Sequence, residues 1–397
     1  MPIATQSCTD AQAATGADVD ARAYALPPKA YFSQDWFERE MADLFGRTWT
    51  FAGVESDVAN PGDYVTARAG YNLLAAIRGD DGELRAFHNI CRHRGAQLLE
   101  GRGRTPRGVS CFYHRWHYNL DGSLRGVPQA EKFGCLDRAA HSLKPASVAA
   151  WNGLVFVHPD PAPPITLDQW LGDVSGRYGP WRPDHLIEAD SFSHVVKANW
   201  KLFVENHIDG YHLFHLHAQS ISGLDHQKQA WSPAGRHWTF YEPELPPTGE
   251  DAPKSGLAAL PRLPGVDDSR TGSSVFLLFP NVGIAAGETY FAILTVEPLT
   301  AESCIVSVRA FISPAVVPVD ASPEDAAAFV RGAANERKVR VAPSNPDGDF
   351  VGEDVYAAEA LQRALRSPAF EVGPLARDLE DSIPFFQRSV MDFVDRG

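Results

Sequence analysis

Two groups of metal-binding side chains are the features of this sequence that could carry chemistry. The first group reads Cys91-x-His93 and, seventeen residues later, Cys111-x-x-His114. Two Cys and two His in mixed pairs suit an iron–sulfur cluster in which one iron takes sulfur ligands and the other takes imidazoles. A structural zinc is the alternative, but zinc sites usually pair Cys with Cys and His with His. The spacing therefore predicts a Rieske 2Fe-2S cluster.

The second group lies about a hundred residues further on, in a histidine-rich stretch that runs from His207 to His217 and includes Asp209. Two closely spaced imidazoles beside a carboxylate suit a mononuclear iron that keeps positions open for dioxygen. Solvated or structural histidines are the alternative interpretation of such a stretch. A cluster in the same chain favours the iron site, because the electrons of the cluster need an acceptor.

A third segment, Asn199-Trp-Lys-Leu-Phe-Val-Glu-Asn206, leads into the histidine-rich stretch. Together these motifs resemble the catalytic α subunits of Rieske non-haem iron oxygenases, over most of the chain. The resemblance implies that His212 and His217 bind the mononuclear iron. His215 then misses the metal, and His207 is a pocket or structural residue. The resemblance also implies four cluster ligands, which are Cys91, His93, Cys111 and His114.

The same resemblance implies a third iron ligand, an acidic residue on a helix far downstream. The best match is Asp354, with Glu353 as its competitor, because this acidic pair opens a helical run that ends near Gln362. The alternative is that both acids only stabilise the N-terminus of a helix through its dipole. With His212 and His217, Asp354 would complete a triad of two histidines and one carboxylate.

Asp209 has a different role in this resemblance, which implies an inter-subunit electron relay in place of metal binding. The carboxylate would link His114 of one subunit to His212 of the next and accept a hydrogen bond from each imidazole. Such a relay requires a ring of subunits, most simply a homotrimer, and an additional β subunit stays open. Asn206 is the other candidate catalytic residue.

The length of 397 residues allows two domains that each bury a core. The resemblance implies an α+β chain in which an all-β Rieske domain precedes a helix-grip catalytic domain, an antiparallel sheet with helices. The Pro-rich stretch 159–164 is the natural boundary. The predicted divisions are a disordered tail (1–30), an N-terminal helix that packs on the catalytic domain (31–48), the Rieske domain (49–160) and the catalytic iron domain (161–397).

Local patterns predict the elements of these domains. Apolar residues at helical spacing predict a helix over 34–45, and Trp151–His158 is predicted as the last strand of the Rieske domain. In the catalytic domain, the patterns predict strands at 192–198, 274–279, 282–286, 290–298 and 304–312, and helices at 323–338, 354–365 and 374–393.

Composition narrows the partners and the location. The formal charge of −14 argues against nucleic acid, and no apolar run is long enough to span a membrane. The N-terminus lacks the apolar stretch of a signal peptide. Five Cys, two of them in the cluster motif, are too few and too scattered for a disulfide framework, so we expect a reducing cytoplasm.

The family resemblance implies dioxygen and a small organic substrate as reactants, with electrons from NAD(P)H through a flavin reductase, a ferredoxin or both. Seven arginines but only two acidic residues lie between Arg92 and Arg125. This excess of positive charge predicts a docking face for an acidic electron-transfer partner, although exposed loops also carry arginines for solubility. A pure Rieske electron carrier is the alternative from another class, and it would leave the second metal site without a role.

The substrate is predicted from residues near the iron and on the facing sheet. These candidates are Gly210, Leu213, Phe214, Phe276, Leu278, Asn281 and Phe291. A pocket with this lining favours mono- or dihydroxylation of an aromatic or otherwise hydrophobic substrate. The alternative is oxidative demethylation or monooxygenation of a quaternary-ammonium compound of the betaine or carnitine type, held in an aromatic cage. Side chains available for that cage are Tyr211, Phe214, Trp231, Trp238 and Tyr241.

Overall fold

The computed structural model describes residues 24–218, 220–221, 223–245, 260–316, 338–340 and 350–394. Its α-helices are α1 (Gln34–Arg39), α2 (Leu167–Leu171), α3 (Val174–Arg177), α4 (Trp200–Ile208), α5 (Phe350–Ala364) and α6 (Ser382–Val394). Its strands are β1 (Thr50–Val54), β2 (Asp63–Ala69), β3 (Asn72–Arg78), β4 (Leu84–His88), β5 (Arg102–Arg104), β6 (Val109–Ser110), β7 (His117–Tyr118), β8 (Leu124–Gly126), β9 (Pro145–Trp151), β10 (Leu154–His158), β11 (Ile187–Val196), β12 (Ala230–Ala234), β13 (His237–Glu242), β14 (Ser273–Leu278), β15 (Val282–Ala286), β16 (Tyr290–Thr300), β17 (Ser303–Ile312) and β18 (Lys338–Arg340).

Seven strands form the first sheet, in the order β1-β10-β9-β4-β3-β2-β5, and every neighbouring pair is antiparallel. Asn152 and Gly153 have positive φ angles of 47° and 83° and turn the chain from β9 into β10, as a two-residue hairpin requires. The strand predicted at 151–158 therefore includes this turn, and β10 begins only at Leu154. A smaller sheet, β6-β7-β8, completes the all-β part.

Eight strands form the second sheet, in the order β12-β13-β14-β15-β16-β17-β11-β18. Because side chains alternate along a strand, this sheet has two distinct faces. The inner face, marked by Trp238, Leu277 and Leu294, packs with α4, α5 and α6. The outer face, marked by Phe276 and Phe291, packs with α2 and α3. An all-β part followed by a largely antiparallel sheet with helices confirms the predicted α+β class.

The predictions differ from the structure in both strands and helices: β11 begins five residues earlier than predicted, and β12 and β13 were not predicted. The predicted helix at 374–393 begins only at Ser382, because Asp378 has a positive φ of 64° that interrupts a helix. The helix α5 begins four residues earlier than predicted, at Phe350. The helix predicted at 323–338 and the tail residues 1–23 lie outside the described residues, except for Lys338 at the start of β18. None of the described helices is long and apolar enough to cross a membrane.

The N-terminal segment packs on the same core as α4. Trp36 of α1 and Met41 in the turns that follow are buried together with inner-face side chains. The chain is already packed before α1, since Leu26 is only 3% exposed and its N–H donates to Gln387 Oε1 at 3.3 Å. The predicted disordered tail was therefore wrong from residue 24 onwards, because apolar residues such as Leu26 anchor this part of the chain.

Buried polar contacts attach the N-terminal segment to α4. Lys201 Nζ lies 2.6 Å from Glu40 Oε1, and both side chains are completely buried. The indole N–H of Trp200 donates to the other oxygen of Glu40 at 2.8 Å. One turn further along α4, Glu205 accepts a hydrogen bond of 2.6 Å from the Tyr31 hydroxyl. Trp200, Lys201 and Glu205 of the Asn199–Asn206 motif therefore hold the N-terminal segment in place.

An ion-pair network joins the two sheets. Arg309 on β17 contacts Asp57 at 2.6 Å and Glu188 at 2.7 Å, and Arg102 on β5 contacts the same two carboxylates at 2.9 and 2.6 Å. Burial tends to raise the pKa of Asp57, but the hydrogen bond and charge of Arg309 outweigh it and lower that pKa. Two arginines shared by two carboxylates thus set the position of the first sheet against the second.

Candidate metal centres

The two Cys-His motifs lie in loops of the same construction, one after β4 and the other between β6 and β7. In each loop, the residue four positions after the Cys donates its N–H to the carbonyl of that Cys. Gly95 donates to Cys91 and Arg115 donates to Cys111, both at 3.0 Å. Both donors have a positive φ, 76° and 59°. Matching turns therefore begin at the two cysteines.

The four predicted cluster ligands come together where these loops meet. Cys91 and Cys111 are 3% and 1% exposed, and burial, with a smaller contribution from Cys111, raises the pKa of Cys91. The rings of His93 and His114 lie with centroids 4.6 Å apart. The buried Nδ1 of His93 has no hydrogen-bond partner in the described part of the chain. Two buried thiols beside two adjacent imidazoles, one with a free nitrogen, fit a Rieske cluster.

Tyr118 and Trp116 support the cluster ligands. Tyr118 is completely buried, and its hydroxyl lies 3.3 Å from Cys91 Sγ and accepts the Arg92 N–H at 2.9 Å. The indole of Trp116 stacks on the His93 ring with centroids 5.0 Å apart and an interplanar angle of 8°. Neither residue was predicted as part of the site, because an aromatic residue close to a ligand in sequence is equally typical of an ordinary hydrophobic core.

The outer edge of the cluster site is aromatic and basic. Phe112 and Tyr113, which stand between Cys111 and His114 in sequence, are 69% and 53% exposed. Arg94 lies over the Tyr113 ring, 5.5 Å from its centroid. Arg102, by contrast, belongs to the ion-pair network between the sheets. Part of the positive excess in the predicted docking face is therefore neutralised within this chain.

His212, His217 and Asp354 converge on the inner-face side of the second sheet. One ligand atom from each lies within 4.8 Å of the others. Asp354 Oδ1 is 2.9 Å from His217 Nε2 and 3.7 Å from His212 Nε2. Two imidazoles and one carboxylate around a common point are the facial triad of non-haem iron oxygenases, with positions left open. The residues present therefore fit a mononuclear iron.

The end of α4 determines how the first histidine is presented. The Asn199 side chain accepts the Lys201 N–H at 3.0 Å and caps the start of α4. The helix ends at Ile208, and the N–H of Gly210 donates to a carbonyl of the loop before α6 at 2.9 Å. His212 then begins a short 3-10 turn, so a turn and not the helix itself aims its imidazole.

The adjacent acids of α5 contact the triad in different ways. Asp354 accepts a hydrogen bond of 2.7 Å from the Asn206 side chain, in addition to its contacts with the two imidazoles. Glu353 Oε2 lies 2.7 Å from His217 Nδ1, the nitrogen that faces away from Asp354, and accepts the Ser220 hydroxyl at 2.7 Å. Burial lowers the pKa of His217, but Asp354 and Glu353 outweigh it and raise that pKa.

Asp209 and Asp354 lie at opposite edges of the His212 ring. Asp209 Oδ2 is 3.2 Å from His212 Nδ1, and its Oδ1 accepts the Tyr211 N–H at 2.6 Å. The side chain is 16% exposed, so part of the carboxylate is accessible from outside the chain. Asp209 thus contacts the imidazole edge that does not face Asp354.

The other two histidines of the stretch lie outside the triad. His215 is exposed, and its ring packs near Tyr211. His207 is half-buried, and its Nε2 lies 3.3 Å from the carbonyl oxygen of Phe276. Burial lowers the pKa of His207. Gly283 on β15 makes room for this ring, because a Cβ there would lie 2.6 Å from His207 Nε2.

Four predicted pocket residues do not face the metal ligands. Phe276, Leu278 and Phe291 belong to the outer-face core. The side chain of Asn281 donates to the Val296 carbonyl at 2.8 Å and ties β16 to the turn between β14 and β15. The pocket prediction was wrong for these residues because both faces of the sheet are apolar, so alternation alone does not tell which face meets the iron.

The remaining pocket candidates stay near the iron ligands. Leu213 packs against the inner-face core, and Phe214 packs against His226 with centroids 5.6 Å apart. Gly210 lies in a loop where a Cβ would meet the Gln229 side chain at 2.0 Å. These three residues belong to the segment that presents His212, which is why nearness in sequence predicted them.

The predicted aromatic cage is not assembled. Trp238 stacks on Phe240 within the core. The indole of Trp231 donates to a backbone carbonyl of the loop before α6. Tyr241 and Tyr211 are 40% and 48% exposed. Their positions follow from strand alternation and from a surface turn, which individual aromatic residues in a sequence do not reveal.

The sequence predictions missed a polar group at one end of the inner face. Glu242 on β13 is the register partner of Ser273 on β14, and the Tyr290 hydroxyl donates to the Ser273 hydroxyl at 2.9 Å. His226 Nδ1 lies 2.7 Å from Glu242 Oε1. The available signal was the period of two from Trp238 to Glu242, which is informative only once the face of Trp238 is known.

Sequence profiles of two known families match the chain. The profile of the Rieske [2Fe-2S] domain matches residues 48–145, and that of the ring hydroxylating alpha subunit (catalytic domain) matches residues 181–396. Fold and profiles together define an iron oxygenase with two metal centres. The chain belongs to the ring-hydroxylating α subunit family. It is an oxidoreductase that uses dioxygen and carries a Rieske cluster and a mononuclear iron, and the zinc and electron-carrier alternatives are set aside.

Proteins of known function resemble either nearly the whole chain or about half of it. It is 29% identical to the glycine betaine monooxygenase oxygenase subunit of Chromohalobacter salexigens, over 94% of this chain and 84% of that protein. It is 32% identical to the carnitine monooxygenase oxygenase subunit of Escherichia coli K12, over 55% of this chain and 58% of that protein. It is 33% identical to the chlorobenzene dioxygenase subunit alpha of a Cupriavidus species, over 49% of this chain and 44% of that protein.

Solved structures share the fold. A quaternary ammonium Rieske monooxygenase matches with a TM-score of 0.74 at 21% identity, covering 94% of this chain and 97% of that one. Naphthalene 1,2-dioxygenase from a Rhodococcus species matches with a TM-score of 0.67 at 22% identity, covering 93% and 94%. Members of this family use dioxygen, an organic substrate and electrons from a reductase or a ferredoxin.

Proposed function

We propose that this chain is the oxygenase component of a system that monooxygenates a small quaternary-ammonium compound. One C–H bond of the substrate becomes C–OH with one atom of O2, and the other atom leaves as water after two electrons and two protons are supplied. The electrons come from NAD(P)H through a reductase. The observation that carries this proposal is the similarity to the glycine betaine monooxygenase oxygenase subunit over 94% of the chain.

The polar residues at one end of the inner face favour a charged substrate rather than an aromatic hydrocarbon. This end carries the polar residues Glu242, Ser273 and Tyr290 together with His226. These groups already contact one another, and an arene adds no hydrogen bond or charge at this polar end, whereas a zwitterion does. Most of the apolar residues that favoured an aromatic substrate lie on the outer face. Phe214 remains as an aromatic surface for ammonium methyl groups.

The ligand assignments form part of the proposal. The cluster is held by Cys91, His93, Cys111 and His114, and the iron by His212, His217 and Asp354. The bound iron supplies the centre at which dioxygen is reduced beside the substrate. Asn206 orients the Asp354 carboxylate by its 2.7 Å hydrogen bond, and Glu353 orients the His217 ring from the opposite edge.

We also propose that Asp209 connects the metal centres of neighbouring subunits in a homotrimer. The carboxylate contacts His212 and is partly accessible, and His114 lies at the half-buried outer edge of the cluster site. A partner subunit's His114 could then donate to Asp209, which would align both imidazoles for electron transfer. The exposed aromatic residues Phe112 and Tyr113 beside His114 fit such a subunit contact.

The domain bounds, the docking face and the location of the protein are also part of the proposal. The Rieske domain spans 49–160, the catalytic domain 161–397, and the segment 31–48 packs on the catalytic domain through its contacts with α4. The arginines of the cluster loops that are not in the ion-pair network offer a docking face for an acidic ferredoxin or reductase. A cytoplasmic location agrees with the free thiols of the described cysteines.

A second candidate is the dihydroxylation of an aromatic ring. The 33% identity to the chlorobenzene dioxygenase subunit alpha favours it. This reaction would place the chain in aromatic hydrocarbon catabolism. It uses the same metal centres, so the two candidates differ only in the substrate that the inner face accepts.

The test is oxygen uptake with product analysis, using the iron-loaded protein, a surrogate reductase and NADH. Glycine betaine, carnitine and choline are compared with benzoate, toluene and naphthalene under 18O2. We expect coupled uptake and one 18O atom in the primary hydroxylated product only with quaternary-ammonium compounds. Coupled uptake only with aromatic compounds, and products that carry two 18O atoms, would reject the first candidate in favour of the second. The His212→Ala variant serves as the inactive control.

A further inference from the structure

The pair formed by His226 and Glu242 lies on the metal side of the sheet and takes no part in the metal centres. Its two side chains are only 12% and 3% exposed, with Nδ1 of the histidine 2.7 Å from Oε1 of the glutamate. We propose that His226, held by Glu242, binds a carboxylate group of the substrate. This inference rests on the proposed oxygenase function and deepens it, since it makes a carboxylate part of what the enzyme selects.

The pair is connected to the iron ligands indirectly, through Phe214. Phe214, two residues after His212, packs its ring against His226 with centroids 5.6 Å apart and an interplanar angle of 67°. Burial raises the pKa of Glu242, and His226 and then His212 oppose that shift. The pair is therefore within electrostatic range of an iron ligand while it contacts none of them directly.

The strand register places Glu242 two side-chain rows along the inner face from Trp238 and Leu277. His207, next to Asn206 on α4, lies against Gly283, and Gly283 is the register partner of Leu277. His207 thus lies over the row of inner-face residues that contains Leu277, and its ring is within electrostatic range of Asp354 and His212. Glu242 belongs to a different row, two side-chain steps along β13 from Trp238, which is the other partner of Leu277.

The row between these two begins with Phe240 on β13 and continues in shorter side chains. Val275, Ala285, Ala292 and Ala310 are successive register partners across four strands, and all four are only half-buried. The neighbouring row is tightly packed, since Leu277 and Leu294 are at most 9% exposed. Beyond Phe240, this row therefore presents shorter and less buried side chains to a small elongated substrate than the row of Leu277 and Leu294 does.

The chemistry of the pair suits a carboxylate. Glu242 occupies Nδ1 of His226, and Nε2 on the opposite edge has no hydrogen-bond partner among the described residues. A carboxylate that reaches Nε2 favours the imidazolium, which then donates to an anion on each edge in charge-assisted hydrogen bonds. An arriving quaternary ammonium group cannot make this contact, since it has no hydrogen-bond acceptor. The pair therefore recognises the anionic end of a zwitterion.

The test compares substrates that differ in the carboxylate, using the complete iron-loaded enzyme. Glycine betaine and choline share a trimethylammonium group, but only glycine betaine has a carboxylate. For His226→Gln and for Glu242→Gln we expect the KM for glycine betaine to rise about 10- to 100-fold, as for a lost charge-assisted hydrogen bond, with kcat unchanged. For choline, as substrate or competitive inhibitor, we expect no change.

The controls separate recognition from folding. His215→Gln changes an exposed histidine of the same segment and should behave as wild type. The visible spectrum of the cluster and the thermal midpoint show whether each variant is folded. Equal losses for glycine betaine and choline, or an unchanged KM for glycine betaine, would overturn the proposal.

Failure of the proposed substrate class gives a different result. If wild type turns over only aromatic compounds, the quaternary-ammonium proposal fails, and benzoate is then compared with toluene. A KM increase for benzoate alone in His226→Gln would still support carboxylate recognition. Equal effects on benzoate and toluene would reject it.

Discussion

Glu353 and Asp354 are consecutive residues of one helix, yet their carboxylates contact opposite nitrogens of the His217 ring. Asp354 lies 2.9 Å from Nε2 and Glu353 lies 2.7 Å from Nδ1. An imidazole that is a metal ligand through one nitrogen is commonly oriented by an acceptor at the other. The structure therefore gives the two adjacent acids separate tasks, one at the proposed iron and one behind its ligand.

This division predicts different metal contents for two conservative variants. Asp354→Asn should lose the mononuclear iron and retain the cluster, so total iron should fall from about three to about two atoms per chain with sulfide unchanged. Glu353→Gln should keep the iron but bind it about 10- to 100-fold more weakly, the usual cost of losing such an outer partner. Iron and acid-labile sulfide analysis, followed by iron titration, measures both. Equal iron loss in the two variants would contradict the division.

Asp209 provides a test of electron transfer without metal loss. Asp209→Ala should bind both metals as wild type does, because the carboxylate contacts His212 only at Nδ1. Its reduced cluster should stay reduced when substrate and dioxygen are added, and product should not form. Stopped-flow absorbance of the cluster follows this step. Glu380→Gln is the matched control, since it removes a nearby charge but not the contact with His212, and normal turnover by Asp209→Ala would refute the relay.

The buried pair of Lys201 and Glu40 predicts a large effect on stability. Lys201→Met leaves Glu40 buried without its cation and should destabilise the chain by about 3–5 kcal/mol. Adding Glu40→Gln should recover most of this loss, because the amide oxygen can still accept the Trp200 N–H that now binds Glu40 at 2.8 Å. Urea unfolding followed by tryptophan fluorescence gives the comparison. A double variant no more stable than Lys201→Met would show that the charge pair is not the cause.

Glu205 predicts how stability depends on pH. Burial is the main cause that raises the pKa of Glu205 from 4.5 to about 7. Between these values the folded chain holds a proton that the unfolded chain has released, so this residue makes the fold less stable as pH rises from about 4.5 to 7. Glu205→Gln keeps an acceptor for the Tyr31 hydroxyl and removes this dependence. The thermal midpoint of Glu205→Gln should therefore rise relative to that of wild type as the pH increases from 5 to 8. A difference between the two midpoints that stays constant across this range would count against the assignment.

The residues proposed as metal ligands could be singled out from the sequence because their signal is local. Cys91 with His93, and Cys111 with His114, each lie within one loop, where residue type and spacing already limit the metals that fit. His212 and His217 share one short stretch in the same way. The structure brings all six of these residues into two groups, as the spacing predicted. Local signals also predicted β14 to β17 of the second sheet, whose turns and alternation depend on neighbouring residues, but they missed β12 and β13.

Other features depended on packing between distant segments. The sequence by itself determined which residue types could bind iron and that the chain would form an all-β part and a sheet with helices. Only the tertiary structure decided that Asp354 and not Glu353 joins the two imidazoles, because the rotation of α5 about its axis is set by its packing on the inner face. It also decided that Glu242 and not Phe276 faces the iron side. Strand alternation defines two faces but not which one is covered by α4.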